Sequence, residues 1–445
     1  GTYGDQLLTT PYKQPCIING FGLAKNPCGG SCMNNQRNIV LDTLKGIAII
    51  AVTLYHLGGI LPYGYLGVDI FFVVGGYLFV RSLSRQLDEN KFNYWKFLFR
   101  KIVRLWPLII LAAFVAVGVG YFLMLPDDYE NLTESAIASS VFAENILQCV
   151  TTKNYWDVVN QYKPLMHLWY VSVLMQAYVV LPLIYMFGHK FKISAKSCTI
   201  GLTVFSFGMF LLPVFSTALK FYCLPFRVFE ITAGGLLIYI KPIKNKKPVA
   251  IISGALLMLL LMSRWELISG SAMLIATVIA TMFFLNTTME MKDGRILTAL
   301  AAVGKRSYSI YIWHQVIVAF MYYSFFQHAN IQSLVVFIIM TALLTIMSYR
   351  FIEMPFSSII AIKKKETGII VGSIVLTIVL CGFSFNIYRH AGVVRDVPEL
   401  EISKNYVHRN MHAEYCDRPY SWDVDFREGV EPKILIFGNS FGRDW

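Results

Sequence analysis

Stretches of about twenty apolar residues recur along the whole chain, separated by short polar loops, and this pattern limits the fold more than any other feature. A lipid-crossing helix needs about 20 predominantly apolar residues. Eleven stretches meet that rule, at approximately 39–61, 65–83, 103–125, 165–187, 194–214, 225–240, 248–264, 270–287, 307–326, 331–350 and 368–388. Lipid offers backbone groups no hydrogen-bond partners, so spans of this kind must be helical. Of the 445 residues, 56% are hydrophobic and 15% charged, whereas soluble domains carry about 25% charged residues. The expected fold is an all-α polytopic membrane bundle of about eleven transmembrane helices.

The loops orient it. Residues 81–104 hold seven Lys/Arg against Asp88 and Glu89. Basic residues return at Lys190, Lys192 and Lys196, in KPIKNKK at 241–247, at Lys292, Arg295, Lys305 and Arg306, and at Lys363, Lys364 and Lys365. Every second loop is basic, which by the positive-inside rule makes those loops cytoplasmic. The loop 126–164 has six acids and two lysines. Its moderately apolar part, 134–150, carries Glu144 and reads as an outer-surface helix, because counting it as a span would invert every later loop. Eleven spans with the N-terminus inside place the C-terminus outside, in a plasma (inner) membrane. The net charge of +12 comes from these loops and does not call for nucleic acid.

Residues 1–36 carry no readable assignment. Cys28 and Cys32 have no histidine nearby, so no zinc ligand set is expected, and no other metal site is read from the sequence. Beyond 388 the composition turns polar, and 389–432 reads as an extracytoplasmic linker. The last residues, EPKILIFGNSFGRDW, read as a buried strand at Ile434–Phe437, a tight Gly-Asn-Ser turn and a helix start. They suggest the beginning of an extracytoplasmic α/β domain, truncated at residue 445.

Ionisable residues inside apolar spans point to function. A charge in lipid costs about 2.5–3.5 kcal/mol even on lenient scales, so such residues usually face a bundle interior and work there. Asp42, Lys45 and His56 lie in the first span and Asp69 opens the second. Lys45 and His56 are eleven residues apart, three turns plus about 20°, so they share a face about 16 Å apart along the axis. Asp42 falls within about 40° of that stripe. The stripe resembles the wall of a reaction channel. A hydrogen-bonded packing histidine and an i,i+3 Asp42–Lys45 ion pair are the alternatives.

At the mouth of the third span stand Arg100, Lys101 and Arg104. Arg100 and Arg104 share a helix face at i,i+4, which with Lys45 suits a polyanionic ligand, since arginine contacts phosphate in bidentate fashion. Coenzyme A fits that description. His167 sits at the entrance to the fourth span, and Arg227 and Glu230 are i,i+3 partners in the sixth. Ser307 and His314 share a face of the ninth, and Glu353 closes the tenth. For each, a structural ion pair or hydrogen bond competes with a catalytic role.

The segments DTLKGIAIIAVTLYH, GVDIFFVVGGYLF, FRKIVRLWP, KPLMHLWYVSV, FRVFEITAGG, GKRSYSIYIWH and FIEMP occur in that order. This ordered set resembles the type 3 family of membrane acyltransferases over about residues 37–388. The terminal ILIFGNSF resembles the first block of an SGNH hydrolase domain. The resemblance implies transfer of an acyl group, usually acetyl, from cytoplasmic acyl-CoA to hydroxyls of an extracytoplasmic glycan. It assigns the family's basic-residue-then-histidine motif to Lys45 and His56, its basic pair to Lys101 and Arg104, and the hydrolase nucleophile to Ser440. Acetyl-CoA is the implied donor; a cell-surface polysaccharide and the lipid bilayer are the implied partners. Three departures stand out. Gly75 replaces a common serine, Leu174 or Met175 stands where an acidic residue is usual, and the hydrolase block reads Gly-Asn-Ser rather than Gly-Asp-Ser. The rival readings are a secondary transporter or lipid-linked sugar flippase and an anchoring scaffold. Transporters usually show internal inverted repeats, which are not visible here; a scaffold would leave the intramembrane histidines unexplained.

Overall fold

The computed structural model describes residues 39–151, 161–241, 243, 246–262, 269–289, 294–324, 331–359, 366–396 and 403–405. Ser440, the strand expected at 434–437 and residues 1–36 lie outside the described residues.

All regular structure among the described residues is helical. α1 (Ile39–His56) and α2 (Gly67–Asp88) are joined by turns through Gly58 and Gly59, both at positive φ, 72° and 69°. α3 (Tyr94–Leu123) is started by Asn93, whose side chain accepts a hydrogen bond from the Lys96 amide at 2.8 Å. This cap satisfies one of the otherwise unpaired amides of the first turn. The expected surface helix at 134–150 is two helices, α4 (Pro126–Ser140) and α5 (Glu144–Thr151), broken where Phe142 adopts φ 57°. A 3-10 turn, Met166–Leu168, leads into α6 (Trp169–Lys190), followed by α7 (Ala195–Leu211), α8 (Thr217–Tyr222), α9 (Val228–Leu236), α10 (Lys246–Met262) and α11 (Gly270–Thr288). Then come α12 (Arg295–Gly304), α13 (Ser307–Tyr323), α14 (Ile331–Ser348), a π-helical turn at Tyr349–Glu353, α15 (Met354–Ile359) and α16 (Glu366–Arg389).

Seven helical stretches among the described residues are long and apolar enough to cross a membrane: Ile39–His56, Gly64–Asp88, Tyr94–Leu123, Met166–Lys190, Gly270–Thr288, Ile331–Phe356 and Val371–Arg389. α7, α10 and α13 are 17 residues each, at the lower end of the spanning range of about 17–25. The expected sixth span, 225–240, differs. Its α-helical part is the nine-residue α9, which rises about 13–14 Å, preceded by a 3-10 turn at Leu224–Phe226 and followed by i,i+3 turns through Tyr239.

α9 packs tightly on α2. A Cβ on Gly76 would meet the Ile231 carbonyl, and one on Gly234 the Val73 carbonyl. α12, which the sequence reading placed in a basic loop, packs in the same way on α1: Gly46 lies against the Leu300 carbonyl and Gly304 against the Asp42 carbonyl. Thr43 Oγ1 adds a hydrogen bond to the Leu297 carbonyl at 3.1 Å. Without a hydrophobic drive between helices in lipid, such small-residue contacts supply the association through van der Waals packing. The polarity of the bundle is membrane-like too. Buried positions include Asp42, Asp69, His167, Arg227, Glu230 and His314, whereas the exposed side of α14 shows Val335, Ile338, Ile339, Leu343 and Ile346.

Candidate active site

Three helices and a turn bring the three histidines of the sequence reading together. His56 is the last residue of α1, His167 lies in the 3-10 turn before α6, and His314 sits in α13. The His314 ring centre is 5.4 Å from that of His56 and 5.4 Å from that of His167. Tyr55 packs edge-on to His56 at 5.0 Å, and Tyr311 lies 5.2 Å from His167 and 5.5 Å from His314.

The three rings are held differently. His314 Nδ1 faces two carbonyls, of Tyr311 at 2.7 Å and of Ile310 at 3.2 Å. Carbonyls only accept, so Nδ1 carries the hydrogen and Nε2 of the neutral ring is the basic atom; this tautomer is assigned from the network. That Nε2 is buried and has no hydrogen-bond partner. His167 is tied to α13 twice: its Nε2 donates to the Ile312 carbonyl at 3.1 Å, and its own carbonyl accepts from the Tyr311 hydroxyl. His56 is half-buried, and its ring makes no hydrogen bond among the described residues. Of the three residues, His56 is the one with partial exposure, and α13 holds the other two rings.

Toward the end of the bundle that carries the basic loops, Lys45 Nζ lies 3.5 Å from Asp42 Oδ1, the i,i+3 pair that the sequence offered as the alternative to a channel wall, with Asp42 buried. Lys101 is folded back over aromatic faces, its Nζ 4.0 Å from the Tyr178 ring centre and 5.2 Å from that of Phe97. Arg100 and Arg104 are exposed on α3. The Tyr308 hydroxyl of α13 donates to the carbonyl of Leu105, next to Arg104, and Tyr308 lies within electrostatic reach of both Arg104 and Glu353. α1 and α3 both pack against α13. Glu353 accepts a hydrogen bond from Ser309, not from Ser307. Ser307 opens α13, half-buried. The carboxylate is carried by a π-helical turn, a local irregularity frequent at functional sites.

A separate buried group completes the set. Arg227 Nη1 donates to Asp69 Oδ1 at 2.9 Å and to Glu230 Oε1 at 2.7 Å, and its Nε donates to the Phe221 carbonyl at 2.8 Å. The guanidinium lies over the Phe221 and Trp169 rings, 4.7 and 5.7 Å from their centres. The i,i+3 pairing of Arg227 and Glu230 was legible in sequence; Asp69, on another helix, was not legible as its third member. This group ties α2 to the start of α9. Gly75 has open space around its missing Cβ, so a serine there would meet no obstacle.

Sequence reasoning missed Tyr55, Tyr311, Ser309 and Gln315. Tyr311 and Gln315 flank His314 at i−3 and i+1, and only the contacts across helices single them out. Among the described residues no group of three His, Cys, Asp or Glu side chains is arranged to hold a metal ion.

A bundle with spanning apolar helices, a buried histidine cluster and cationic side chains toward one end is the frame of a membrane group-transfer enzyme. The profile of the acyltransferase domain family matches residues 38–350, and the chain belongs to that family. Among curated proteins it is similar to a candidate O-acetyltransferase of Staphylococcus aureus strain COL, 28% identical over 347 residues. It is also similar to the O-acetyltransferase OatA of S. aureus strain NCTC 8325, 29% identical over 347 residues. Each match covers 71% of this chain and 56% of the relative, so the chain spans just over half the length of the curated relatives it matches. No solved structure matches it.

Proposed function

We propose that this chain transfers an acetyl group from acetyl-CoA, bound at the cytoplasmic end of the bundle, to a hydroxyl of an extracytoplasmic polysaccharide. The observation that carries the reading is the His56–His314–His167 cluster, in which His56 alone is half-buried and free of hydrogen bonds. The names of the relatives support the acetyl group, and the alternating basic loops support the orientation.

Chemically, the His56 imidazole takes the proton of the acceptor hydroxyl as its oxygen attacks the thioester carbonyl. A general base with a pKa near neutrality suits that step. The C–O bond forms, the C–S bond breaks, and the proton passes from the imidazolium to the departing thiolate of CoA. A two-step route, with the acyl group carried briefly on His56, uses the same atom. His314 Nε2, a buried acceptor beside His56, stabilises the imidazolium after a small rotation of the His56 ring. His167 is a positioning residue, locked to α13. Lys45, Arg100 and Arg104 hold the CoA phosphates, with Lys101 beside them; Asp42 keeps Lys45 in place, and Ser309–Glu353 braces the start of α13. Ser440 is a second acyl carrier toward the final glycan.

The test uses purified protein, acetyl-CoA and an oligosaccharide acceptor, with release of CoA thiol as readout. Wild-type protein consumes the thioester, and His56→Ala binds acetyl-CoA but does not turn it over. A protein that moves sugar and never consumes thioester would be a transporter, and the proposal would fall. Substantial turnover by His56→Ala would move the base to His314.

A further inference from the structure

We infer that Cys149 and Cys223 are a modification site: a dithiol on the extracytoplasmic side that an external disulfide converts into a covalent staple between α5 and the end of α8. The inference rests on the orientation proposed above, which puts the α4–α5 side outside the membrane; acyl transfer plays no part in it.

The two sulfurs are already neighbours. Cys223 Sγ lies 3.7 Å from Cys149 Sγ in a thiol–thiol hydrogen bond, and among the four described cysteines theirs are the only sulfurs in such contact. The backbone on each side is set without them. Cys149 lies in α5, one turn after Asn145. Asn145 is buried, and its Nδ2 donates to the Tyr222 carbonyl at 3.0 Å, in the peptide unit that leads into Cys223. Gln176 of α6 holds that amide in place, donating from Nε2 to Asn145 Oδ1 at 2.7 Å and to the Phe142 carbonyl at 3.0 Å. The Cys223 amide donates to the Leu219 carbonyl at 3.0 Å, and the Cys223 carbonyl accepts from the Phe226 amide at 3.2 Å. Hydrogen bonds on both sides hold the two cysteines face to face, which leaves side-chain rotation to bring the sulfurs into bonding distance.

Both residues are half-buried, which leaves access for a disulfide-bearing oxidant, either a small molecule or a thiol–disulfide oxidoreductase. One cysteine thiolate attacks a sulfur of that disulfide, a mixed disulfide forms, and the first thiolate of the oxidant leaves. The second cysteine thiolate attacks the cysteine sulfur of the mixed disulfide and expels the other oxidant thiolate. The cysteine pair gives up two electrons and two protons, and the oxidant departs as two thiols. Such links persist on the oxidising side of a membrane and are rare in the cytosol. This one spans 74 residues, across α6 and α7, and a cross-link of that length restricts the unfolded chain far more than the folded one. It also fastens α5 to the segment that seats Arg227, whose Nε donates to the carbonyl of Phe221, two residues before Cys223.

The experiment is non-reducing peptide mass spectrometry on the full chain, with free thiols blocked by N-ethylmaleimide as the cells are opened. A peptide pair joined through Cys149 and Cys223 is expected, and it is lost in Cys149→Ser and in Cys223→Ser. Dithiothreitol lowers the unfolding temperature of the purified wild type by several degrees and leaves that of the double variant Cys149→Ser/Cys223→Ser unmoved; an equal fall in both overturns the staple. Reduced, purified wild type treated with oxidised glutathione regains the joined peptides. Failure to join in cells and with oxidised glutathione overturns the pairing. Joining with oxidised glutathione alone, with both thiols found alkylated in cells, overturns the modification in the cell. A cysteine at an exposed neighbour, Thr151→Cys in the double variant, then tests the orientation: labelling by a membrane-impermeant maleimide in intact cells leaves it standing, and labelling only after permeabilisation sinks it. Absence of acetyl-CoA consumption in a protein that carries the joined peptides would sink the acyl-transfer reading and leave the staple standing.

Discussion

In the Asp69–Arg227–Glu230 group, one guanidinium donates to two carboxylates and a carbonyl, at 2.7–2.9 Å, and lies over two aromatic rings. In the His56–His167–His314 group there is no ion pair; one ring nitrogen of His314 is orphaned, and the ring of His56 is half-buried and unbonded. A single rule flags both groups, that ionisable residues within membrane spans are functional candidates. Their surroundings separate them. Ion pairing and dense packing mark a brace that ties α9 to α2. The histidine group instead combines unfilled hydrogen-bonding capacity with one partly exposed member, which is what the proposed site offers a ligand. Ion pairing, more than presence in the membrane, distinguishes the two groups, since Glu230 Oε2 in the brace also has no hydrogen-bond partner.

The sharpest way to break that distinction is to truncate one member of each group. Arg227→Ala leaves two buried carboxylates without their cation, which costs about 3–5 kcal/mol. A large fall in unfolding temperature or failure to accumulate in the membrane is expected. His56→Ala removes a half-buried ring without hydrogen bonds, so the unfolding temperature should barely move while acyl transfer drops by about 10²–10⁴-fold, the usual worth of a general base. Differential scanning fluorimetry and thiol release on both variants decide the matter. If Arg227→Ala were stable yet inactive, and His56→Ala unstable, the roles assigned here would be reversed.

What the sequence made legible was whatever lies along one helix. The Lys45–His56 stripe, the Asp42–Lys45 pair and the Arg227–Glu230 pair follow from 100° per residue, and helices occupy every expected span at least in part. What it concealed depends on contacts between helices. Hydropathy read 225–240 as a span because its residues are apolar. There Gly234 and Gly235 press against α2, and the α-helical part of the segment is only Val228–Leu236. The basic residues around 292–306 looked like a plain loop, yet Leu300 and Gly304 fit against Gly46 and Asp42. Ser307 was chosen because it shares a face with His314. Ser309 is about 140° away from that face, which is why it meets Glu353 instead. The clustering of three histidines from 56, 167 and 314 could not be read from spacing at all. Family resemblance supplied the expected role of His56. The grouping itself required the fold.

A smaller effect tests whether the exposed cations serve a ligand or only the membrane. Arg104 is exposed, so Arg104→Ala removes little packing. Loss of one charge-assisted phosphate contact should cost about 1.5–3 kcal/mol, seen by isothermal titration with CoA as a roughly 10- to 150-fold weaker affinity at unchanged unfolding temperature. Dephospho-CoA, which lacks one phosphate group, should lose less on the same substitution if Arg104 contacts that group. Identical affinities for wild type and Arg104→Ala would leave the arginine to the positive-inside rule alone.

Glu144 offers the finest discrimination, because it is a third buried acid built on neither plan. Its carboxyl accepts from Ser135 at 3.0 Å, Ser139 at 3.3 Å and Gln148 at 2.7 Å, all neutral donors. Lys163 acts on it through space, but among the described residues no cation donates to the carboxyl as Arg227 does to Asp69 and Glu230. Burial in the α4–α5 surface element pushes it up from 4.5 to about 8, against the opposing pull of those hydrogen bonds. The folded protein therefore holds this proton more tightly than the unfolded chain does. Below pH 4.5 both states are protonated and the contribution to stability is whole. As pH rises toward 8, the unfolded chain ionises first and the contribution is lost, by on the order of 1 kcal/mol per pH unit. Unfolding temperature measured at intervals between pH 5 and pH 8 should fall more steeply for wild type than for Glu144→Gln, which is neutral throughout and keeps the carbonyl acceptor. Parallel curves for the two proteins would mean that the three hydrogen bonds hold Glu144 ionised. Uncharged donors would then suffice to stabilise a buried carboxylate in this fold, and the contrast between braced and open polar groups would no longer need a cation on the braced side.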